Sequence, residues 1–344
     1  MFLIIYKYIV SFSYRLQTKF SSAYLVISSI EMAVVVDRAS LLVDQIISSL
    51  RPLRNTLIAI GVFYSLKNVA HLAYSGFRAI SRNKLPMFFW YPRRIWSKNY
   101  RKYGLVILNT DIINQDRIVD LWNRASFRVI VDGAANNWFD LVKERNDVIK
   151  PIPDLLTGDF DSIQPNIKDY YENQTGCNVI VTCDQNYTDF TKSLQQISVN
   201  IRGITEIEEI YAFVEYGGRL DHVMGLFQTL FQATLISSLP NILLISSYTT
   251  DWLLLPGTHT ICLENDNKSS NQDLNSSTGI SKSRYCGIIP LGQPCARIKT
   301  TGLRWNLSRN QTLAFGKLIS TSNECRDETI RIDIDTPVIW TMEN

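Results

Sequence analysis

Between Tyr103 and Ile245 short apolar runs recur, separated by stretches long enough for about three turns of helix. The runs are Leu105–Leu108, Val129–Val131, Leu155–Leu156, Val179–Val181, Ile210–Val214 and Ile242–Ile245. The intervening helical stretches include Ile113–Ala125, Ala134–Arg145, Thr188–Val199 and Leu220–Leu235; in the third, Phe190, Leu194, Ile197 and Ile201 keep a helical spacing. Uniformly apolar strands alternating with helices predict a mostly parallel sheet covered on both faces, because each strand must bury both of its sides.

After about Ser246 the helical stretches stop. Short strand-like runs separated by turn residues follow: Trp252–Pro256, Gly257–Leu263, Arg284–Pro290, Ala296–Thr301, Thr312–Ile319 and Thr329–Ile334. That pattern predicts an antiparallel β-sandwich or barrel. The expected architecture is a parallel, Rossmann-like α/β domain over 101–245 followed by a β-sandwich over 246–344. Residues 265–283, rich in Asn and Ser, are predicted to be a disordered insertion.

The charge is divided unevenly. Residues 1–100 carry 13 Lys and Arg against only Glu31, Asp37 and Asp44, whereas the rest holds 22 basic and 29 acidic residues. We therefore read 1–100 as a separate basic extension. Its apolar stretches, Phe20–Val36 and Leu57–Leu66, fall short of about 20 clean apolar residues needed to span a bilayer. Membrane association through the basic flanks, a targeting segment, and a helical extension packed on the rest of the chain or left disordered are the three readings of it. With 46% hydrophobic and 19% charged residues, the chain is neither wholly disordered, collagen-like nor coiled-coil. Its six Cys form no C-x-x-C pair and there are only three His, which argues against zinc and for reduced thiols. A cytoplasmic location is expected, with or without membrane association, and no nucleic-acid partner.

In a parallel α/β sheet, ligands bind beyond the carboxyl ends of the strands. Four successive strand ends carry polar clusters: Asp132-Gly133 after Val131, Gly158-Asp159-Phe160-Asp161-Ser162 after Leu156, Asp184 to Lys192 after Val181, and Gly217-Gly218-Arg219-Leu220-Asp221 after Val214. In an extended Asp-x-Asp, alternate side chains share a face, so Asp159 and Asp161 are expected to offer oxygens to one cation. Clustered carboxylates repel, and a hard divalent ion such as Mg²⁺ relieves this. Lys192 and Arg219 would then face phosphate oxygens, and Asp161-Ser162 and Thr188 resemble helix N-caps. Arg219 with Asp221 also has the form of a plain surface ion pair. No G-x-x-x-x-G-K-[S/T] or G-x-G-x-x-G occurs, which excludes P-loop and dinucleotide-binding readings.

The motifs V-D-G-A-A-N (131–136), P-D-L-L-T-G-D-F-D-S-I (153–163), D-Q-N-Y-T-D-F-T-K-S-L (184–194) and G-G-R-L-D-H (217–222) continue as T-T-G-L-R-W-N-L (300–307), S-T-S-N (320–323) and W-T-M (340–342). From about residue 102 to the end the chain resembles eukaryotic thiamine pyrophosphokinases. The resemblance implies a homodimer with active sites at the subunit interface. It also implies transfer of the diphosphate of ATP to thiamine, with Mg²⁺, giving thiamine diphosphate and AMP. By position, Asp159, Asp161 and Asp189 correspond to the metal and diphosphate carboxylates, with Asp132 close by. Gln185, Thr188, Lys192, Arg219 and Asp221 correspond to nucleotide and phosphate contacts. Trp305, Ser320 and Ser322 correspond to the thiamine side, contributed across the dimer. Asp132 and Asp221 are both candidates to accept the thiamine hydroxyl proton.

Two departures stand out. The Asn/Ser insertion lengthens a loop of the β part, and Asn323-Glu324-Cys325-Arg326 replaces the small or aromatic residues expected after S-T-S. The basic extension is foreign to the family. The competing expectation is a catalytically inactive, membrane-tethered binder of thiamine or nucleotide.

Overall fold

The structure is a computed structural model that describes residues 86–145, 148–149, 152–200, 207–236, 239–263 and 284–344. Met87–Asn344 forms one compact unit. The extension up to residue 85, and with it the membrane and targeting readings, lies outside the described residues, as does the 265–283 insertion.

Six strands of the α/β half run parallel: β2 (Tyr103–Ile107), β3 (Phe127–Val131), β4 (Leu155–Gly158), β5 (Asn178–Val181), β6 (Glu209–Phe213) and β7 (Asn241–Ile245). Their order in the sheet is β7-β6-β2-β3-β4-β5. β2, β3 and β6 are buried almost throughout, as the apolar runs Leu105–Leu108, Val129–Val131 and Ile210–Val214 require. Three helices, α1 (Gln115–Arg124), α2 (Ala134–Glu144) and α3 (Pro165–Glu172), connect β2 to β5 and pack on one face, with Trp122 and Trp138 in contact at 4.4 Å. The chain then returns past β2 to β6, and α4 (Asp189–Asn200) and α5 (Leu220–Ala233) cover the other face. The topological switch point therefore lies between β2 and β6. The sequence reading omits α3, whose eight residues carry only Ile167 and Tyr171 as buried anchors.

The β part is not a separate layer. β8 (Thr249–Leu254) pairs antiparallel with β7, and β14 (Val338–Glu343), β10 (Arg284–Ile289) and β12 (Ser320–Cys325) extend the same sheet to ten strands. A second sheet faces it, ordered β1 (Met87–Trp90), β9 (Gly257–Cys262), β13 (Thr329–Ile334) and β11 (Ile298–Thr301). Thr312–Ile319 forms only isolated bridges around Leu313, because Gly316 takes a positive φ of 77° and turns the chain.

In this second sheet, β1 comes from the segment assigned by charge to the extension and pairs parallel with β9. Trp90 Nε1 donates to His259 Nδ1 at 3.0 Å, and Phe88 stacks on the same imidazole at 4.7 Å. Buried Arg124 donates to the carbonyls of Ile95, Ser97 and Tyr100, holding the next turn. Residues 87–100 are thus part of the folded unit. The basic count misled here because Arg94 lies over the Tyr91 and Tyr100 rings and Arg93 is half-buried beside Arg284 and Cys325. Among the described residues no helix is long and apolar enough to cross a membrane.

Candidate active site

Three strand ends and one helix start converge on a group of carboxylates. Beyond β3, Asp132 takes a left-handed φ of 46°, and its N–H donates to the Thr157 carbonyl at 2.9 Å. A non-glycine residue in this region is strained, a feature that concentrates at functional positions. Gly158 at the end of β4 lies so close that a Cβ there would fall 2.6 Å from the Asp132 Cβ. Asp159 follows. Thr188 caps α4 by accepting from the Thr191 N–H at 3.1 Å, so that Asp189 opens the helix and Lys192 stands one turn further along the same side.

The structure brings Asp132, Asp159 and Asp189 together, each offering an oxygen within 4.8 Å of the others. Lys192, only 3% exposed, places its ammonium 2.8 Å from Asp189 and 3.5 Å from Asp159, and donates to the Thr182 carbonyl at 3.0 Å. Gln185 Nε2 donates to Asp159 at 3.1 Å. Burial foremost, then the neighbouring Asp189 and Asp161 charges, pushes the Asp132 carboxyl up, against a hydrogen bond from the Gly133 N–H. Burial also acts to raise Asp159, but the Gln185 hydrogen bond and the Lys192 charge outweigh it and hold that carboxyl below its usual range. For Lys192, burial works against the charge, while Asp189 and Asp159 overcome it and leave the ammonium more basic than usual.

Asp161 is not in this group. Phe160 has a φ of 62°, so the Asp-x-Asp segment is not extended and the expected same-face geometry does not hold. The Asp161 carboxylate instead accepts from Ser162 Oγ at 2.7 Å. Asp132, which the sequence reading placed close by but outside the metal set, lies in the group instead. The expected cap at Asp161-Ser162 is also absent: Gln164 precedes α3 and makes no side-chain cap. A residue the sequence reading passed over, Asn136, staples this loop to α2. It donates to the Ser162 carbonyl and accepts from the Gln164 N–H, both at 2.9 Å.

Arg219 and Asp221 form an exposed ion pair at the start of α5, with Arg219 Nε 3.1 Å from the Asp221 carboxylate. Each raises the charged character of the other, through their hydrogen bond first. They do not touch the carboxylate group. α5 nevertheless runs beside it: Thr229 bonds both Thr188 and Thr191, and Gly225 leaves room for the Thr188 methyl.

In the sandwich, Trp305 is 54% exposed. Asn323 holds its backbone on both sides, accepting from the Trp305 N–H at 3.1 Å and donating to its carbonyl at 2.8 Å. Arg304 lies over one face of the indole at 4.6 Å and pairs with the buried Glu324. Ser320 is buried and accepts from Asn323, and Ser322 is exposed with a φ of 53°. Asn323 was legible only as the tail of S-T-S-N and Glu324 only within the departure that follows S-T-S, neither with a role.

The donor set suits a hard divalent ion. All three candidate ligands are carboxylate oxygens, and Asp132 Oδ1 is buried with no hydrogen-bond partner, which leaves its lone pairs free to serve as a ligand.

The family profile described as thiamin pyrophosphokinase, catalytic domain, matches residues 118–242, and that described as thiamin pyrophosphokinase, vitamin B1 binding domain, matches 258–339. Thiamine pyrophosphokinase 1 of Oryza sativa subsp. japonica is 37% identical over 249 residues, covering 70% of this chain and 86% of its own length. The chain belongs to the thiamine pyrophosphokinase family. Thiamine pyrophosphokinase 1 of Arabidopsis thaliana is 32% identical, with the same two coverages. The solved thiamin pyrophosphokinase of Candida albicans superposes with a TM-score of 0.59 at 23% identity, covering 75% of this chain and 93% of its own; the yeast enzyme gives 0.60 at 20%, with 76% and 92%. At such identities they attest the fold: an α/β domain continued into a β-sandwich. The chain is thus an enzyme, a thiamine diphosphokinase.

Proposed function

We propose that the chain transfers the diphosphate of ATP to the primary hydroxyl of thiamine at the Asp132–Asp159–Asp189 edge. The hydroxyl proton passes to a carboxylate, with Asp132 and Asp221 the two candidates. The hydroxyl oxygen bonds to the β-phosphorus, the bond from that phosphorus to the α–β bridging oxygen breaks, and AMP leaves with that oxygen. Little covalent work falls to the protein, so alignment and charge compensation carry the rate. Asp132, Asp159 and Asp189 would hold Mg²⁺, which when bound supplies positive charge to the phosphate oxygens. Lys192 fixes Asp159 and Asp189 in place. Gln185 orients Asp159, while Thr188 starts α4 with its free N–H groups toward an anion. Arg219 and Asp221 contact the nucleotide from α5, and Asp161, next to the cluster, adds to its negative field. On the sandwich, the free face of Trp305 stacks on the flat cationic substrate, with Ser320 and Ser322 beside it.

The observation that carries this reading is the buried, unpartnered Asp132 oxygen within a three-carboxylate group that has one buried ammonium. Exposed Leu220 and Met224 on α5 support a second copy covering this edge, as a homodimer with shared sites requires. The six free cysteines fit a reducing, cytoplasmic setting. The test is to incubate the full chain with ATP, Mg²⁺ and thiamine and separate the products. Thiamine diphosphate and AMP in equal amounts are expected. Thiamine monophosphate with ADP would refute attack at the β-phosphorus.

A further inference from the structure

Asp251 on β8 is 3% exposed, yet it belongs to no part of the site above. It lies on the sheet face covered by α4 and α5, opposite Thr341 of β14. Its Oδ2 accepts from the Tyr216 hydroxyl at 2.5 Å and from Thr249 Oγ1 at 2.9 Å, and Thr341 gives a further side-chain hydrogen bond. A carboxylate in such a place is costly unless fully hydrogen-bonded, and here three hydroxyls serve it. The Tyr216 ring in turn stacks on Phe227 of α5, with centroids 5.9 Å apart and planes 9° from parallel.

The same loop is held one residue earlier. Glu215 accepts from Ser247 N–H at 3.0 Å and Ser247 Oγ at 2.5 Å, and its own N–H donates to Thr110 at 3.1 Å. Immediately afterwards the restraint ends. A Cβ on Gly217 or Gly218 would meet nothing within 4 Å, and Gly218 has a φ of 83°. Next come Arg219 and the first turn of α5. Two free glycines thus separate Arg219 from a rigid anchor, and the helix carrying it needs another constraint. The Tyr216–Phe227 stack supplies one from the sheet side, and the Thr188–Thr229–Thr191 hydroxyls supply the other from α4.

We propose that Tyr216, fixed by Asp251, is a positioning residue that sets the first turns of α5, and with them Arg219, against the start of α4. This rests on the reading of Arg219 as a phosphate contact. Through it, the seam where the parallel strands meet the sandwich strands is tied to the nucleotide side of the reaction. A charge-assisted hydrogen bond is short and directional, which suits a fixed pivot.

The test uses full-length Tyr216→Phe, which keeps the stacking ring and removes the hydroxyl. Asp251→Asn, which keeps an acceptor oxygen, Arg219→Ala, and the Tyr216→Phe/Arg219→Ala double variant complete the set. Steady-state constants for ATP and thiamine are measured with thermal melting. Tyr216→Phe is expected to raise KM for ATP on the order of tenfold while KM for thiamine stays unchanged, and Asp251→Asn is expected to do less. In the Arg219→Ala background the Tyr216 change is expected to add nothing. A lower Tm with an unchanged KM for ATP in Tyr216→Phe would overturn the proposal, and so would full additivity in the double variant. If Arg219→Ala itself leaves KM for ATP unchanged, the phosphate role of Arg219 fails first and the proposal falls with it.

Discussion

The ammonium of Lys192 stands 2.8 Å from the Asp189 carboxylate on the first turn of α4, in a position only 3% exposed to solvent. The same ammonium is 3.5 Å from Asp159. One cation thus faces a group of three carboxylates, leaving two formal negative charges for a divalent ion to balance. Replacing Lys192 by Met is expected to lower kcat on the order of 10²-fold and to strengthen the dependence on Mg²⁺. Initial rates across a Mg²⁺ titration check this; a rate like that of the unaltered enzyme would refute the role.

Trp305 offers one open face, since Arg304 occupies the other. Trp305→Ala is expected to raise KM for thiamine by roughly 2- to 30-fold, the equivalent of about 0.5–2 kcal/mol of stacking, with little change in KM for ATP. Equal effects on both substrates would point to a damaged fold, and melting curves separate the two.

Gly158→Ala would place a methyl 2.6 Å from the Asp132 Cβ and 3.0 Å from its Cα. The strand end must shift, costing about 1–3 kcal/mol and displacing Asp132. Activity is expected to fall further than the melting temperature predicts. A fully active, fully stable variant would mean that the edge has slack the structure does not show.

His259 joins β1 to the sandwich, accepting from Trp90 and donating to the Leu255 carbonyl. Burial lowers its pKa from 6.5 to about 4, with the Leu255 bond and Asp333 opposing only in part. The unfolded chain therefore binds a proton that the folded chain refuses. Stability is expected to fall as the pH drops below about 6.5, with the loss complete near 4 and amounting to about 3 kcal/mol. In His259→Gln that part of the slope should vanish. Identical Tm-versus-pH slopes in the two proteins would contradict the assignment.

The α/β half was legible because its strands carry apolar runs, such as Leu105–Leu108 and Ile210–Val214 with their buried residues. β12 and β14 were less so. Ser320–Cys325 is mostly polar, since its Asn323 and Glu324 are occupied with Trp305 and Arg304 rather than with a core. β1 was hidden by the charge of its surroundings. At the site, the strand ends pointed to the edge where the structure gathers Asp132, Asp159 and Asp189, but the backbone at Asp132 and Phe160 takes positive φ. Side-chain directions there could not follow from strand alternation, so Asp161 was favoured over Asp132. The Tyr216–Asp251 pair joins residues 35 apart in sequence and leaves no local pattern.

The most direct test compares Asp132→Asn with Asp161→Asn in a Mg²⁺ titration of thiamine diphosphate formation, with ATP and thiamine binding measured alongside. If the Asp132–Asp159–Asp189 group is the transfer centre, Asp132→Asn loses turnover on the order of 10²-fold while still binding thiamine, and Asp161→Asn keeps most of its rate. Near-normal turnover in Asp132→Asn, with the loss falling on Asp161→Asn instead, would contradict the account.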